Sequence, residues 1–375
     1  MAKSRTARIQ DLVGMLNGLY PPDLAEDWDN VGLQAGDATL PVSRVLVALD
    51  PGEAAVEQAR QRDCQALLSH HPLILSPLKS ITPADDTGRT LLAAIRNNIT
   101  LIAAHTNLDS ARSGLNDWLA ARLGLLQPEP LMTAPVELLK LVVFVPATHA
   151  DEVAEALFAA GAGEVGNYAH CSFRVAGQGS FRPGENTQPY IGSPGRDERV
   201  EEVRIETILP RRLSRKVIDK MCRAHPYEEV AYDLYPLSNR FENAGLGRIG
   251  RLAEPMTLEC FALQVKQALG TSTVRTVGDR EHKVTKVAVC GGSGASLLAE
   301  ADRRGADVLV TGDVKYHEAR QAEQRGIALV DAGHFGTEHL AVAGMVAALA
   351  NEAAQRGLEF EFIPMEGERD PFEVL

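Results

Sequence analysis

Two stretches of this chain alternate short apolar segments with helical patterns, and this alternation constrains the fold more than any other feature. The apolar segments of the first stretch lie at residues 44–50, 66–72 and 100–109. Those of the second stretch lie at residues 286–294, 306–313 and 327–334. Short apolar runs separated by helices are typical of a mostly parallel sheet that is buried on both faces. The sequence therefore predicts an α/β fold.

The two stretches also match in spacing. VLVALD at 45 leads to ALLSHH at 66, and VAVCGG at 287 leads to VLVTGD at 308, an offset of 21 residues in both cases. This match indicates an internal duplication. The intervening segment has alternating strands, two helical patterns and a run rich in Gly and Pro, which favour a compact α+β domain. We therefore predict a first α/β half at 1–129, an inserted domain at 130–250 and a second α/β half at 251–375.

Composition excludes several classes of protein. The chain of 375 residues is 45% apolar and has 50 acidic against 38 basic residues, a net charge of −12. Nucleic-acid binding needs clustered Lys and Arg, so we expect no nucleic-acid partner. No apolar run approaches the roughly 18 residues of a membrane span, and the first residues lack a signal-like apolar core. Five scattered cysteines without CxxC spacing fit a reducing cytoplasm, where we place the protein.

Histidines and carboxylates cluster at the ends of the predicted strands. In an open parallel sheet, ligands collect beyond the carboxyl ends of the strands, so residues at these ends could converge on one site. Six of the ten histidines lie at or just after strand ends. The candidate metal ligands there are His70, His71, Asp109, His334 and Glu338. His105 and His317 are further candidates, and Asp313 precedes His317 by one helical turn.

Each of these signals also has a simpler explanation. The His70–His71 pair could be an accident of a strand end, and Asp109 could belong to an Asx cap. His334 and Glu338 could lie on a solvated first turn of a helix. The co-location of so many histidines favours a metal site, because neutral imidazole and carboxylate suit Zn²⁺, Mn²⁺, Fe²⁺, Co²⁺ or Ni²⁺.

The number and order of the ligands favour two ions. Successive residues of a strand point in opposite directions, so His70 and His71 would each serve a different ion. Five ligands are too few for two closed sites, but they suffice for two ions that share a bridging carboxylate and keep positions open for water. Such a centre is typical of hydrolases. The glycines of GGSGAS (291–296) could hold a phosphate, although a tight strand-to-helix turn explains them better.

Several motifs, taken in order, resemble one known family. They are WDNVGLQAGD, SHHP, HTNLD followed by GLNDWLA, TGDVKYH and GHFGTEH. The chain is similar to the Nif-three-like dinuclear metal-centre proteins, also known as GTP cyclohydrolase I type 2 homologues. The inserted segment, with GAGEVGNYAHCSF and AHPYEEVAYDLYPL, looks like the extra CutA/PII-like, ferredoxin-type domain of the long family members.

The resemblance implies two intertwined α/β halves, a toroidal homohexamer and two metal ions per chain that face an internal cavity. It assigns the ligands to the same five residues and makes Glu338 the bridge. His105 and His317 become candidates for proton transfer.

Two functional hypotheses follow. The first is a metal-dependent hydrolase of GTP cyclohydrolase type that acts on a nucleotide or another phosphorylated small molecule. The second is a non-catalytic metal-binding or regulatory scaffold in which the insert senses a ligand. In the insert, His225, Tyr227, Glu228 and Glu229 could hold such a ligand, or they could form a solvated turn. A hydrolase requires a general base and open metal positions, whereas a scaffold requires neither.

Overall fold

A computed structural model describes residues 6–134, 137–166, 168–239 and 244–374. The chain divides into two compact units, one built from residues 1–134 and 243–375 and the other from residues 135–242.

The first half of the larger unit alternates strands and helices as predicted. Its elements are α1 (Ile9–Leu19), β1 (Gly32–Ala35), β2 (Arg44–Ala48), α2 (Glu53–Gln61), β3 (Ala66–Ser69), α3 (Asp86–Arg96), β4 (Thr100–Ala103), α4 (Thr106–Ser110), α5 (Leu115–Arg122) and β5 (Leu126–Thr133). The smaller unit contains β6 (Leu138–Pro146), α6 (Ala150–Ala159), β7 (Ser172–Phe181), β8 (Glu198–Pro210), α7 (Ser214–Ala224) and β9 (Tyr232–Leu237).

The larger unit then resumes with its second half. Its elements are β10 (Gly245–Thr257), α8 (Leu258–Leu269), β11 (Arg275–Val277), β12 (Lys283–Val289), α9 (Leu298–Arg303), β13 (Val308–Thr311), α10 (Tyr316–Arg325), β14 (Ala328–Asp331), α11 (His334–Glu338), α12 (Leu340–Arg356) and β15 (Glu361–Pro364). Short 3₁₀ turns lie at Pro22–Leu24, Ala147–His149, Arg211–Leu213 and Ala295–Leu297.

The larger unit holds two sheets whose edges are exchanged between the halves. The five-stranded sheet has the order β1-β4-β3-β2-β15, and only β1 is antiparallel to its neighbour. The six-stranded sheet has the order β11-β14-β13-β12-β10-β5, with a parallel centre of β12, β13 and β14. The second half thus supplies β15 to the first sheet, and the first half supplies β5 to the second. The mixed α/β fold is confirmed, and its halves are intertwined.

The central strands are buried on both faces, as continuous apolar runs predict. Every residue of β3, β4, β13 and β14 is buried. Helix α5 from the first half packs Leu119, Ala120 and Leu123 into the core of the second sheet. No helix in the part of the chain described above is long and apolar enough to cross a membrane.

The smaller unit is a four-stranded antiparallel sheet, in the order β7-β8-β6-β9, with α6 and α7 packed on one face. The predicted insert at 130–250 is wider than this unit, because β5 and β10 pair with each other in the second sheet. The Gly-rich segment near residue 247 is part of the long strand β10. Gly245 must lack a side chain there, since a Cβ would lie 2.0 Å from the carbonyl oxygen of Met132. The likeness of this unit to CutA/PII folds stays a prediction.

Candidate metal centre

The larger unit brings the five predicted ligands together. His70 and His71 directly follow β3, and Asp109 lies on α4, which follows β4. His334 and Glu338 are the first and last residues of α11, which follows β14. All five therefore lie beyond the carboxyl ends of parallel strands, and the two sheets contribute to one site.

Three of these residues form a group around one carboxylate oxygen. The Oε2 atom of Glu338 lies 2.9 Å from Nε2 of His71 and 2.8 Å from Nε2 of His334. Glu338 itself is buried, with 4% of its surface exposed. Two imidazole nitrogens and a carboxylate oxygen within 4.8 Å of one another could hold a metal ion.

The environment of His70 points to a second position. Nδ1 of this buried ring donates a hydrogen bond to the carbonyl oxygen of Ala104 at 2.9 Å, which leaves Nε2 as the free ring nitrogen. Nε2 lies 3.7 Å from Oδ1 of Asp109 and 3.7 Å from Oε1 of Glu338, beyond hydrogen-bonding distance. Both Nε2 of His70 and Oδ1 of Asp109 are buried without a hydrogen-bond partner.

These unpartnered atoms fit a metal ion. A buried polar atom without a partner costs about 1–3 kcal/mol, so native proteins rarely retain one unless something binds it. Two ligands about 2.1 Å from one ion at a tetrahedral angle are about 3.4 Å apart, close to the separations around His70. Imidazole and carboxylate are also donors that divalent transition metals accept. The residues present therefore suit a metal centre.

Three aspartates orient the histidines through their other ring nitrogens. Asp50 accepts from Nδ1 of His71 at 2.8 Å, and Asp313 accepts from Nδ1 of His334 at 2.7 Å. Such carboxylate–histidine pairs fix the ring orientation and raise the basicity of the ligating nitrogen. The sequence pattern singled out Asp313 but missed Asp50. Asp50 could have been predicted from its position, since it follows β2 and so lies at the same edge of the first sheet.

The third aspartate, Asp29, serves His105. It accepts from Nδ1 of His105 at 2.9 Å and from the backbone N–H of Thr106 at 3.0 Å. Burial works to raise the pKa of Asp29, but the hydrogen bonds from His105 and Thr106 outweigh it and lower the pKa to about 2. Nitrogens of His70, His71 and His105 lie within 4.8 Å of one another, so His105 borders the ligand group. Trp28 packs edge-on against the His105 ring and is 58% exposed.

Charges within the site shift the pKa values of the histidines upward. Burial disfavours a charged His71, but hydrogen bonds to Asp50 and Glu338 outweigh it and raise its pKa to about 10. The hydrogen bond to Glu338 raises the pKa of His334 to about 9. For His70, burial again opposes the charge, and the negative charge of Asp109 outweighs it, so its pKa is also raised.

The two buried carboxylates shift in opposite directions. Burial raises the pKa of Asp109 to about 6. Burial would raise the pKa of Glu338 as well, but the hydrogen bond from His334, the nearby charge of His70 and the hydrogen bond from His71 hold it well below its usual value. Without metal, the protons on the neighbouring histidines therefore balance the charge of Glu338.

His317 does not join this group. It is exposed in the first turn of α10, where its ring contacts Tyr316, and it belongs to neither cluster of potential ligands found among the described residues. A role of His317 in proton transfer stays a prediction from the sequence.

The GGSG loop after β12 supports the site rather than a phosphate. A Cβ on Gly292 would lie 2.1 Å from Oε1 of Glu338, so only glycine allows this close approach. The N–H of Gly292 donates to Oγ1 of Thr337, and the N–H of Gly291 donates to Oδ1 of Asn116. Because the loop's N–H groups bond within the protein, the geometry favours the tight-turn interpretation.

Asn116 and Arg248 join the two halves behind the site. Asn116 is fully buried and also donates to the carbonyl oxygen of Asp109 at 3.0 Å, so it connects a ligand to the GGSG loop. Arg248 of β10, 1% exposed, pairs with both carboxylate oxygens of Asp117 at 2.6 and 2.9 Å. Arg248 also donates to the carbonyl oxygen of Ala111, directly after α4. These buried contacts hold the helix that carries Asp109.

Comparison with known proteins decides the family. The family model of Duf34/NIF3 (NGG1p interacting factor 3) matches residues 7–371. This chain belongs to the Duf34/NIF3 family. Members similar to it include a protein of Halalkalibacterium halodurans, 44% identical over 99% of this chain and all of the relative, and one of Bacillus subtilis, 39% identical over the whole of both. Both relatives are called "GTP cyclohydrolase 1 type 2 homolog".

A solved family member has the same fold. The crystal structure of a Bacillus cereus protein related to NIF3 superimposes with a TM-score of 0.91 at 45% identity, and the match covers 99% of this chain and 100% of that one. The family resemblance seen in the sequence motifs is thus confirmed.

Proposed function

We propose that this Duf34/NIF3 protein is a dinuclear metal-dependent hydrolase of GTP cyclohydrolase type that acts on a nucleotide or another phosphorylated small molecule. His71, His334 and Glu338 would hold one ion, and His70, Asp109 and Glu338 the other. The observation that carries the proposal is the pair of buried, unpartnered ligand atoms on His70 and Asp109. Nε2 of His70 lies 3.7 Å from Oε1 of Glu338, and Oε2 of the same carboxylate contacts His71 and His334.

Two divalent ions bound there would supply an activated water and positive charge for a developing oxyanion. The chain itself supplies a proton acceptor. The ionised Asp29 can only accept from Nδ1 of His105, so this nitrogen carries the proton of the neutral ring and Nε2 carries its lone pair. Nε2 of His105 could therefore accept a proton from the attacking nucleophile and return it to the leaving group.

The exposed Trp28 favours a substrate with a planar ring. Its indole stands beside His105 with 58% of its surface exposed, an unusual exposure for so large an apolar side chain. Stacking of a base on an aromatic side chain contributes about 1–3 kcal/mol. A nucleobase held there would place its attached groups next to the ligand cluster.

Metal content and turnover test the proposal together. The protein, purified without added metal, would be assayed for metal stoichiometry and then against a nucleotide and phosphoester panel with Zn²⁺, Mn²⁺ or chelator. His105→Gln should keep its metal and lose about 10²–10⁴-fold in turnover, as expected for a lost general base. His317→Gln is the matched control and should leave turnover unchanged.

The same experiment distinguishes the scaffold hypothesis. Bound metal without turnover of any member of the panel would favour a non-catalytic metal-binding scaffold. A protein that binds no divalent ion would contradict both hypotheses.

We also propose a toroidal homohexamer in the cytoplasm, on the strength of the motif resemblance. The homohexamer would place the metal centres around an internal cavity that a small-molecule substrate must enter. Light scattering on the purified protein should give a mass six times the 40.4 kDa of one chain. A stable monomer or dimer at micromolar concentration would contradict this assembly.

A further inference from the structure

The smaller unit contains a cavity of its own, far along the sequence from the metal ligands. It measures about 620 Å³ and is lined only by residues between Phe144 and Ala231. Its floor is one face of the four-stranded sheet. The alternate residues Leu141, Val143 and Val145 of β6 point into the core with α6 and α7, whereas Phe144 points into the cavity. A volume of this size is typical of small-molecule sites, which range over about 300–1,000 Å³.

Two glycines leave the cavity floor open. Gly177 and Gly179 lie in the interior of β7, opposite Glu202 and Val200 of β8. Neither has the positive φ that would require glycine. A Cβ on Gly177 would meet no atom within 4 Å, so packing does not require glycine there either. Glycine inside a strand weakens it and often marks the close approach of a ligand.

Aromatic rings form the walls. Tyr227 contacts Phe181 and Tyr190, with ring centroids 5.9 and 6.4 Å away, and Tyr190 remains 54% exposed. These rings surround the opening instead of filling it. Aromatic walls of this kind favour a flat apolar ring as the ligand.

The carboxylate of Glu202 lines this cavity, and only one of its two oxygens accepts a hydrogen bond from a described residue. The hydroxyl of Tyr227 donates to Oε1 of Glu202 at 3.0 Å. Oε2 of Glu202 lies across the bare backbone of Gly179, where a Cβ would be 2.1 Å away. Among the described residues, no donor or cation pairs with Oε2 of Glu202. The free oxygen therefore presents an acceptor for N–H groups.

The charge balance of the cavity disfavours an anion. Its two arginines are already paired, Arg182 with Asp197 at 2.7 Å and Arg204 with Glu206 at 2.9 Å. Glu228 adds a further negative charge to the lining. A phosphate would meet neutralised arginines and repelling carboxylates, whereas a neutral or cationic N–H donor would be attracted.

We propose that this cavity is a second binding site, specific for a planar nitrogen heterocycle that donates N–H groups to Glu202 while its ring lies among Phe181, Tyr190 and Tyr227. The site is independent of the metal centre and of the hydrolase proposal. It gives a role to Tyr227 and Glu228 of the AHPYEE segment, which the metal centre does not use.

Guanosine is a suitable probe, because its N1–H and N2 amino group form a donor edge that a carboxylate can accept. The comparison probes are 1-methylguanosine, in which a methyl group replaces the N1 proton, and adenosine, whose N1 is an acceptor. Binding to the full chain would be measured by calorimetry and ligand-observed NMR in the presence of chelator. We expect guanosine to bind and both comparison probes to bind at least about tenfold more weakly, the loss typical of a charged hydrogen bond.

Two variants locate the binding. Gly177→Val should place a side chain in the open floor and abolish guanosine binding, while thermal stability stays equal or rises, because valine suits a strand better than glycine. Ser172→Val, on the same strand and outside the cavity, is the matched control. Glu202→Gln should weaken guanosine binding about tenfold. Glu201→Gln, at the preceding position of β8 and outside the cavity lining, should not weaken it.

The proposal would be overturned by no guanosine binding up to millimolar concentration, or by equal binding of 1-methylguanosine. It would also be overturned if Gly177→Val bound guanosine like the wild type, or if His70→Ala abolished binding while Glu202→Gln did not. Failure of the hydrolase assay would leave it untouched, since every arm is run without metal.

Discussion

Metal binding at the group of His71, His334 and Glu338 should release about two protons per ion near neutral pH. In the rings of His71 and His334, each of the two nitrogens lies within 2.9 Å of a carboxylate oxygen of its own. Carboxylates only accept hydrogen bonds, so both rings carry two protons in the metal-free protein. Their pKa values of about 10 and about 9 agree with this state. A metal ion displaces one proton from each ring.

The sign and size of the pH dependence follow. The metal-free protein binds more protons than the metal-bound one, so affinity for metal rises with pH until the pKa of the histidines is passed. With two protons released, the association constant should rise about 100-fold per pH unit below pH 9, equivalent to about 2.7 kcal/mol. Titration calorimetry with Mn²⁺ between pH 6.5 and 8.0, in two buffers of different ionisation enthalpy, gives the proton count directly.

A variant and its control test the cause. Asp50→Asn removes the acceptor at Nδ1 of His71, which lowers the pKa of His71 and should reduce the proton release. Asp302→Asn replaces a surface aspartate paired with Arg325 and should leave the count unchanged. Release of fewer than one proton per ion in the wild type would refute the assignment of doubly protonated histidines.

Three further outcomes are expected. Glu338→Gln should lose more bound metal than His70→Ala by elemental analysis, since Glu338 contacts both ligand groups, and the reverse order would contradict its bridging role. Arg248→Met should lower the free energy of unfolding in denaturant by about 3–5 kcal/mol, because it removes a buried guanidinium from the partly buried carboxylate of Asp117 and from the carbonyl oxygens that it satisfies. Exposed Arg251→Met should change it by under about 0.5 kcal/mol. Burial lowers the pKa of His225, whose Nδ1 accepts a hydrogen bond from a backbone N–H. The stability that neutral His225 contributes is therefore fully present above the unfolded pKa of about 6.5, and it is lost as the pH falls towards the lower pKa of the folded state. Unfolding measured from pH 7 to 5 should therefore show a weaker pH dependence in His225→Gln, and an unchanged slope would count against this role.

The sequence pattern predicted the parts of the fold that depend on local periodicity. The buried parallel strands and the convergence of His70, Asp109 and Glu338 followed from apolar runs and from the geometry of parallel sheets. The exchange of β5 and β15 did not follow from periodicity, because edge pairing depends on contacts between distant segments. Only the family resemblance implied intertwined halves. The length of strand β7 did not follow either, because Gly177 and Gly179 resemble turn residues when their partners on β8 are unknown.

The supporting residues were harder to find for the same reason. Asp29 lies 76 residues from His105, and no local spacing connects them. His317 illustrates the opposite problem, because it stands close to a strand end in sequence, yet its side chain is exposed in the first turn of α10. Proximity along the chain predicted a shared edge of the sheet, but it did not predict the direction of a side chain.

The separation of the ligands along the chain also determines the order in which they are synthesised. His71 and Glu338 are 267 residues apart, and ribosomes add about 5–20 residues per second. The carboxylate of Glu338 is therefore synthesised about 13 to 53 seconds after His71, and the whole smaller unit is synthesised in between. During that interval the nascent chain displays a histidine pair without the acid that completes its ligand set. Metal capture before residue 338 has left the ribosome would have to rely on an incomplete and weaker set of donors.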